Sequence, residues 1–255
     1  MAGEIFSRYE LKYLIPYSMY EEIAIKLTEY MNYDQYGDEQ GRYTIISLYF
    51  DSRDKKIYYE TRNKARFRQK LRLRIYNGAS IDDQAYFEVK KKYKQRVNKR
   101  RTSIQLRSAY EYIAGEANAD HLKGVSNQQI FREIDDFRQL YHLQPENIVS
   151  YDRQAFTGIK DKDLRVTFDY NLRCRNDDLH IEKGPHGHLF VDKDLVIMEV
   201  KVDHSVPLWL SRLLSEFECP KKSVSKFCTS ADILEEVQEK VEIPNLKRSL
   251  KWKHF

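Results

Sequence analysis

Arg66-Phe67-Arg68-Gln69-Lys70-Leu71-Arg72-Leu73-Arg74-Ile75 places a cation on every second residue, and all but one of the residues between them are apolar. A strand has a side-chain period of two, so this segment presents five cations on one face and a hydrocarbon surface on the other. Arg8-Tyr9-Glu10-Leu11-Lys12-Tyr13, Phe87-Glu88-Val89-Lys90 and Met198-Glu199-Val200-Lys201-Val202-Asp203 repeat the alternation, with single glutamates among the cations. In Leu164 to Arg175, Arg165, Thr167 and Asp169 share one face and Val166, Phe168 and Tyr170 the other. Water-facing positions of an ordinary sheet mix Thr, Ser, Gln, Lys and Glu. A concave, ion-lined surface is the sharper reading.

Other elements surround these strands. Asn77-Gly78-Ala79-Ser80 is a hairpin signal that makes 66–76 and 85–92 antiparallel neighbours with aligned, complementary charges. Pro16 followed by Tyr17 to Tyr30 predicts a helix, and Asp51-Ser52 introduces a short one over Lys55 to Arg62. Between about Ala109 and Leu143 the period changes, and Ile130, Ile134, Phe137 and Tyr141 mark an amphipathic helix. Thr44 to Phe50 and Ser150 to Thr157 read as strands. Pro207 to Phe217 and Ser230 to Val241 read as helices. Tyr141, Trp209, Leu213 and Leu214 read as helix packing.

The chain has 255 residues, 41% hydrophobic, with nineteen Tyr and twelve Phe against nine Gly and six Pro, which excludes a low-complexity chain. No linker divides it, so residues 1–240 are expected to form one domain, followed by a basic tail over 241–255 that includes Lys247 to Lys253. Forty-four Lys and Arg against 39 Asp and Glu leave only +5, so placement of charge matters more than its sum. Three widely spaced cysteines give neither a disulfide framework nor a zinc motif. The N-terminus shows no apolar signal region, and no run approaches the roughly 20 apolar residues that span a bilayer. The expectation is a soluble, cytoplasmic protein.

Ionic strand faces drawn from nearly the whole chain need a shared interior. The expected fold is α+β: a closed antiparallel β-barrel of about eight strands, a tunnel lined by ions, with helices flanking its apolar exterior. Two unit charges about 6 Å apart repel by roughly 3 kcal/mol at an effective dielectric near 20, so such a lumen calls for an anion. Arginine forks and lysine ammoniums suit a ligand with several phosphates. Glu10, Glu88 and Glu199 are misplaced in a pure anion binder, but fit a divalent metal that bridges carboxylate and phosphate.

Glu10-Leu11-Lys12-Tyr13, Tyr49-Phe50-Asp51-Ser52, Arg72-Leu73-Arg74, Glu88-Val89-Lys90, Tyr151-Asp152-Arg153-Gln154-Ala155, Arg165 to Asp169, Glu199-Val200-Lys201 and Ser225-Lys226-Phe227 occur in that order. Together, over roughly residues 5 to 235, they resemble the VTC-type polyphosphate polymerase domain of the triphosphate tunnel metalloenzyme superfamily. The resemblance implies transfer of the terminal phosphoryl group of ATP to a polyphosphate chain, with Mn²⁺ or Mg²⁺ as cofactor and ATP and polyphosphate or pyrophosphate as partners. It assigns Arg72, Arg74, Lys90, Arg153 and Lys201 to catalysis, and Lys12, Lys99, Arg165, Ser225 and Lys226 to phosphate binding. Glu199 is the principal implied metal ligand and Glu10 the second. Hydrolytic members open with two glutamates where this chain has Arg8 and Glu10, and the closing Ser-Lys-Tyr ends here in Phe227.

Two other readings of the same fold remain open: a tripolyphosphatase or nucleoside triphosphatase, in which water replaces the acceptor, and a non-catalytic polyphosphate-binding module. The run from Lys90 to Arg101 could serve nucleic acid, but reads better as a basic rim that draws in polyphosphate. His180, His186 and His188 read as surface imidazoles on a turn, and any membrane association as peripheral, through a partner protein.

Overall fold

The computed structural model describes residues 5–94, 96–117, 124–222 and 224–250. Among these, ten strands form one antiparallel sheet: β1 (Ile5–Pro16), β2 (Met31–Tyr33), β3 (Arg42–Asp51), β4 (Phe67–Tyr76), β5 (Gln84–Tyr93), β6 (Arg96–Gln105), β7 (Gln144–Gly158), β8 (Arg165–Arg175), β9 (His188–Leu189) and β10 (Leu195–Val202). The helices are α1 (Tyr17–Leu27), α2 (Lys56–Arg62), α3 (Leu106–Ala114), α4 (Gln128–Tyr141), α5 (Leu208–Glu216) and α6 (Lys226–Leu250). Hydrogen-bonded neighbours run β7-β3-β4-β5-β6-β1-β10-β8, and β8 pairs in turn with β7. The α+β class with flanking helices is as expected.

The period-two pattern decides which face is covered. Leu71, Leu73 and Ile75 of β4 and Phe87 and Val89 of β5 are buried against Tyr112 of α3 and Phe131, Ile134 and Phe137 of α4. The Phe87 ring meets Tyr112 edge-on at 5.9 Å. A second apolar layer joins Val166 and Phe168 of β8 and Val196, Met198 and Val200 of β10 to Tyr20, Ile23 and Leu27 of α1 and Leu210 and Leu214 of α5. Burying a single side chain of this kind contributes about 1.5–3 kcal/mol, so the two layers fix the apolar faces of the strands and leave the ionic faces on the other side of the sheet.

Several boundaries differ from expectation. The 109–143 segment holds two helices, because Gly115 in the left-handed region (φ 81°) ends α3 and Asn127 caps α4 by accepting from the Ile130 amide at 3.0 Å. Helix α1 stops at Leu27 instead of Tyr30. Helix α6 starts at Lys226, four residues before the expected Ser230, and its backbone continues to Leu250. The first part of the expected basic tail is therefore helical, and residues 251–255 lie outside the described residues. No described helix is long and apolar enough to cross a membrane.

The histidine segment is organised by a residue that sequence reading passed over. Arg175, buried at the end of β8, donates to the carbonyls of Asp178, His180, Gly184 and His186 at 2.8–3.0 Å. His180 packs edge-on against Tyr110 and lies 3.2 Å from Glu182.

Candidate active site

The β4–β5 hairpin pairs Arg72 with Glu88 across the register, as the turn at Asn77 predicts. Arg72 Nε donates to Glu88 Oε2 at 2.7 Å, Arg74 Nη1 lies 3.7 Å from the same oxygen, and Lys99 of β6 contacts Oε1. Glu88 is 1% exposed. Burial alone would raise its pKa, but Lys99, Arg72 and Arg74 outweigh that and hold it well below the usual carboxylate range. Arg74, 3% exposed, also donates from Nε to Ser47 Oγ at 3.1 Å and from Nη2 to the Tyr151 hydroxyl at 3.2 Å. These arginines are anchored in protein and do not hang freely in solvent, which corrects the expectation of unrelieved repulsion.

The opposite wall comes from β1, β10, β8 and β7. Lys12 and Glu199 are register partners on β1 and β10, 2.6 Å apart. Lys201 Nζ lies 2.9 Å from the other Glu199 oxygen. Lys226, at the start of α6, sits 2.6 Å from Asp169 and 3.4 Å from Glu199. Arg153 forms a two-pronged pair with Asp169 at 2.6 and 2.8 Å. Lys90 donates to both oxygens of Glu10 at 2.8 and 2.9 Å, Arg165 contacts Asp34 and donates to the Tyr43 hydroxyl at 3.0 Å, and Lys70 donates to Ser225 Oγ at 3.0 Å.

The cations of both walls, with Glu10 and Glu199, line one cavity of about 810 Å³. All twelve residues the resemblance assigns line it: Arg72, Arg74, Lys90, Arg153, Lys201, Lys12, Lys99, Arg165, Ser225, Lys226, Glu199 and Glu10. The run from Lys90 to Arg101 contributes to the cavity wall through alternate residues. Lys90, Lys92, Lys99 and Arg101 face the cavity, whereas Lys91 and Arg100 turn outward to Glu133 of α4.

Burial sets unusual protonation in this wall. It lowers Lys99 to about 7, with Glu88 opposing and Arg72 and Arg74 adding to the shift. It lowers Lys70 and Lys201 to about 8. On Lys226, Asp169 and Glu199 overcome burial and raise the value. On the acidic side, cationic neighbours overcome burial: Lys90 most strongly holds Glu10 near 2, Arg153 and Lys226 hold Asp169 near 2, and Lys12, Lys201 and Lys226 hold Glu199 well below its usual range. The carboxylates are therefore ionised at neutral pH.

Among the described residues no group of three or more His, Cys, Asp and Glu side chains is gathered as for a metal held by protein alone. Glu10 and Glu199 nevertheless sense each other's charge and both face the cavity. Two ionised carboxylates on adjacent strands are the hard oxygen donor set that suits Mg²⁺ or Mn²⁺ completed by substrate oxygens and water.

A family model described as the VTC domain matches residues 7–235. The chain belongs to the VTC-domain family. A search of curated proteins finds no match. Among solved structures, an adenylyl cyclase-like protein from Hippeastrum, HpAC1, described as having a dominant triphosphatase activity, superposes with a TM-score of 0.54 at 14% identity over 89% of this chain and 96% of its own. A protein from Bacillus halodurans described as an adenylate cyclase gives 0.51 at 11% identity, over 88% and 96%. At those identities the likeness is one of fold.

In this VTC domain the Tyr49-Phe50-Asp51-Ser52 motif has separable local roles. Asp51 accepts from the backbone amides of Ser52, Ile57 and Tyr58 at 2.8–3.0 Å and so starts α2. Tyr49 faces the cavity, its ring stacked at 5.3 Å on Phe227, the residue that departs from the closing tyrosine. Glu88, read with Glu10 and Glu199 as suited to a metal, is instead taken up by Arg72, Arg74 and Lys99 and does not line the cavity. Asp169, Tyr43, Tyr49 and Tyr151 complete the site, yet motif reading gave none of them a role there. Alternation already placed Asp169 beside Arg165. The tyrosines were hidden because an aromatic ring scores as apolar while its hydroxyl points inward.

Proposed function

We propose that the ring of strand pairings forms a closed tunnel in which this VTC domain acts as a polyphosphate polymerase, transferring the terminal phosphoryl group of ATP to a polyphosphate chain. The observation that supports this reading best is the convergence of ten assigned phosphate-binding and catalytic side chains with Glu10 and Glu199 on one cavity. A terminal oxygen of the acceptor chain attacks the γ-phosphorus, the bond to the β-γ bridging oxygen breaks, and ADP leaves as the chain gains one phosphate.

Such a transfer needs no side-chain nucleophile, because its transition state spreads charge over equatorial oxygens that fixed cations stabilise. Arg72, Arg74 and Lys99 orient phosphates along the β4–β5–β6 wall. Lys12 and Lys201 do so along the β1–β10 wall, joined by Lys90 of β5, which pairs with Glu10, and Lys226 of α6, with Arg153 and Arg165 extending the track and Ser225 positioning Lys70. Glu199 and Glu10 would hold the divalent cation, which when bound supplies charge neutralisation at the phosphate oxygens. Arg8, in place of the first glutamate of hydrolytic members, favours an acceptor phosphate over activated water.

Incubation with ATP and Mn²⁺ or Mg²⁺ tests the reading. Chains that lengthen with time on a gel, with matching ADP release, support the polymerase. Orthophosphate as sole product supports the triphosphatase, and tight polyphosphate binding without ADP supports a non-catalytic module.

A further inference from the structure

Three tyrosine hydroxyls reach the cavity wall, and each accepts a hydrogen bond from a cavity arginine: Tyr43 from Arg165 at 3.0 Å, Tyr49 from Arg72 at 3.1 Å and Tyr151 from Arg74 at 3.2 Å. A hydroxyl that accepts from a guanidinium still carries its own proton. Tyr49 is held from two sides. Its ring is clamped by Phe227 of α6, and the Arg72 guanidinium lies 5.9 Å from its centroid.

The charged groups facing Tyr49 come from β4, namely Lys70, Arg72 and Arg74, with Glu88 of β5 behind Arg72. From β7, its register partner Asn147 turns its amide to Ser230 at 2.7 Å, and α6 presents the uncharged Phe227. No protein acceptor for the Tyr49 proton is present among the described residues, and the side chain lines the cavity.

We propose that Tyr49 is a further phosphate-binding residue, whose oxygen fixes the Arg72 guanidinium while its proton is donated to an oxygen of the bound phosphate chain. The inference rests on the phosphate-chain reading above and names a contact that reading did not contain. A neutral donor adds a hydrogen bond without adding repulsion to a crowded cationic wall. The phenol's environment agrees: burial would raise its pKa, but Arg72, Arg74 and Lys70 bring it down to about 8. By contrast, burial leaves Tyr43 raised. A bound polyanion offsets those cations and accepts the proton, so it must push the Tyr49 value back up.

Tyr49→Phe keeps the ring stack and removes only the hydroxyl, and inorganic tripolyphosphate without metal serves as probe. In calorimetry at neutral pH the substitution is expected to weaken binding about tenfold or more, the usual worth of a hydrogen bond to a charged group. In ultraviolet titration the ligand-free wild type should form one tyrosinate near pH 8, missing in Tyr49→Phe and displaced to higher pH by tripolyphosphate. Unchanged affinity in Tyr49→Phe, or a tyrosinate step that tripolyphosphate does not move, overturns the role of Tyr49 while leaving the phosphate site standing. A wild type that binds no tripolyphosphate overturns both.

Discussion

Arg72 Nε donates to Glu88 Oε2 at 2.7 Å from the directly opposed position on β5, so an arginine assigned to substrate is also half of a buried ion pair. Arg72→Ala should therefore have two effects. Turnover should fall about a hundredfold or more, as for loss of a donor to a transition-state oxyanion. Stability should fall by about 1–2 kcal/mol, less than for a fully severed pair because Arg74 and Lys99 still face Glu88. Urea denaturation without ligand checks the second part, and an unchanged midpoint would contradict the pairing.

Glu199 sits among Lys12, Lys201 and Lys226. Glu199→Gln should abolish metal-dependent turnover, yet tighten metal-free tripolyphosphate binding several-fold, because three ammoniums lose their internal counterion. Calorimetry in the presence of a chelator measures the second effect. Weaker binding in the variant would mean that Glu199 chiefly orders the lysines.

Anion binding should take up protons in mildly alkaline buffer. In the free protein Lys99 and Lys70 are lowered to about 7 and about 8, so a fraction of each is neutral at pH 8. A polyanion favours the protonated forms and raises both values. Affinity should then decline as pH rises from about 7 toward the unperturbed 10.5. The same shifts act on folding without ligand: the unfolded chain binds more protons in this interval, so these two lysines cost stability at neutral pH and release that cost as pH rises. Calorimetry in buffers of different ionisation enthalpy gives the proton count, and zero uptake would contradict the lowered values.

Arg175→Met should cost about 1–3 kcal/mol, because it removes the buried guanidinium that is the shared donor to four half-buried carbonyls of the 178–186 segment. Thermal unfolding reads the loss. If the fold survives, tripolyphosphate affinity should stay within a few-fold of wild type, since none of these groups faces the cavity.

Much of the site was legible because period-two alternation reports a side chain's face whatever the fold. Arg72, Arg74, Lys90, Glu199 and Lys201 could be assigned to one surface before any strand was paired. Alternation does not report which ions meet across strands. The Glu88 cluster joins β4, β5 and β6, and Lys226 reaches Asp169 and Glu199 from a helix remote in sequence, so both needed the tertiary structure. Tyr49 and Arg175 escaped for a related reason. Each side chain has an apolar body or stem and a polar end, and only the surroundings show which part the fold uses.

The central proposition is that cations and carboxylates from seven strands and α6 serve one ligand inside the fold. A crystal structure of the protein with tripolyphosphate and Mn²⁺ tests it most directly. The expected result is a phosphate chain within reach of Arg72, Arg74, Lys99 and Lys226, with the metal against Glu199. Phosphate confined to the outer surface, with every interior ion pair intact, would contradict it.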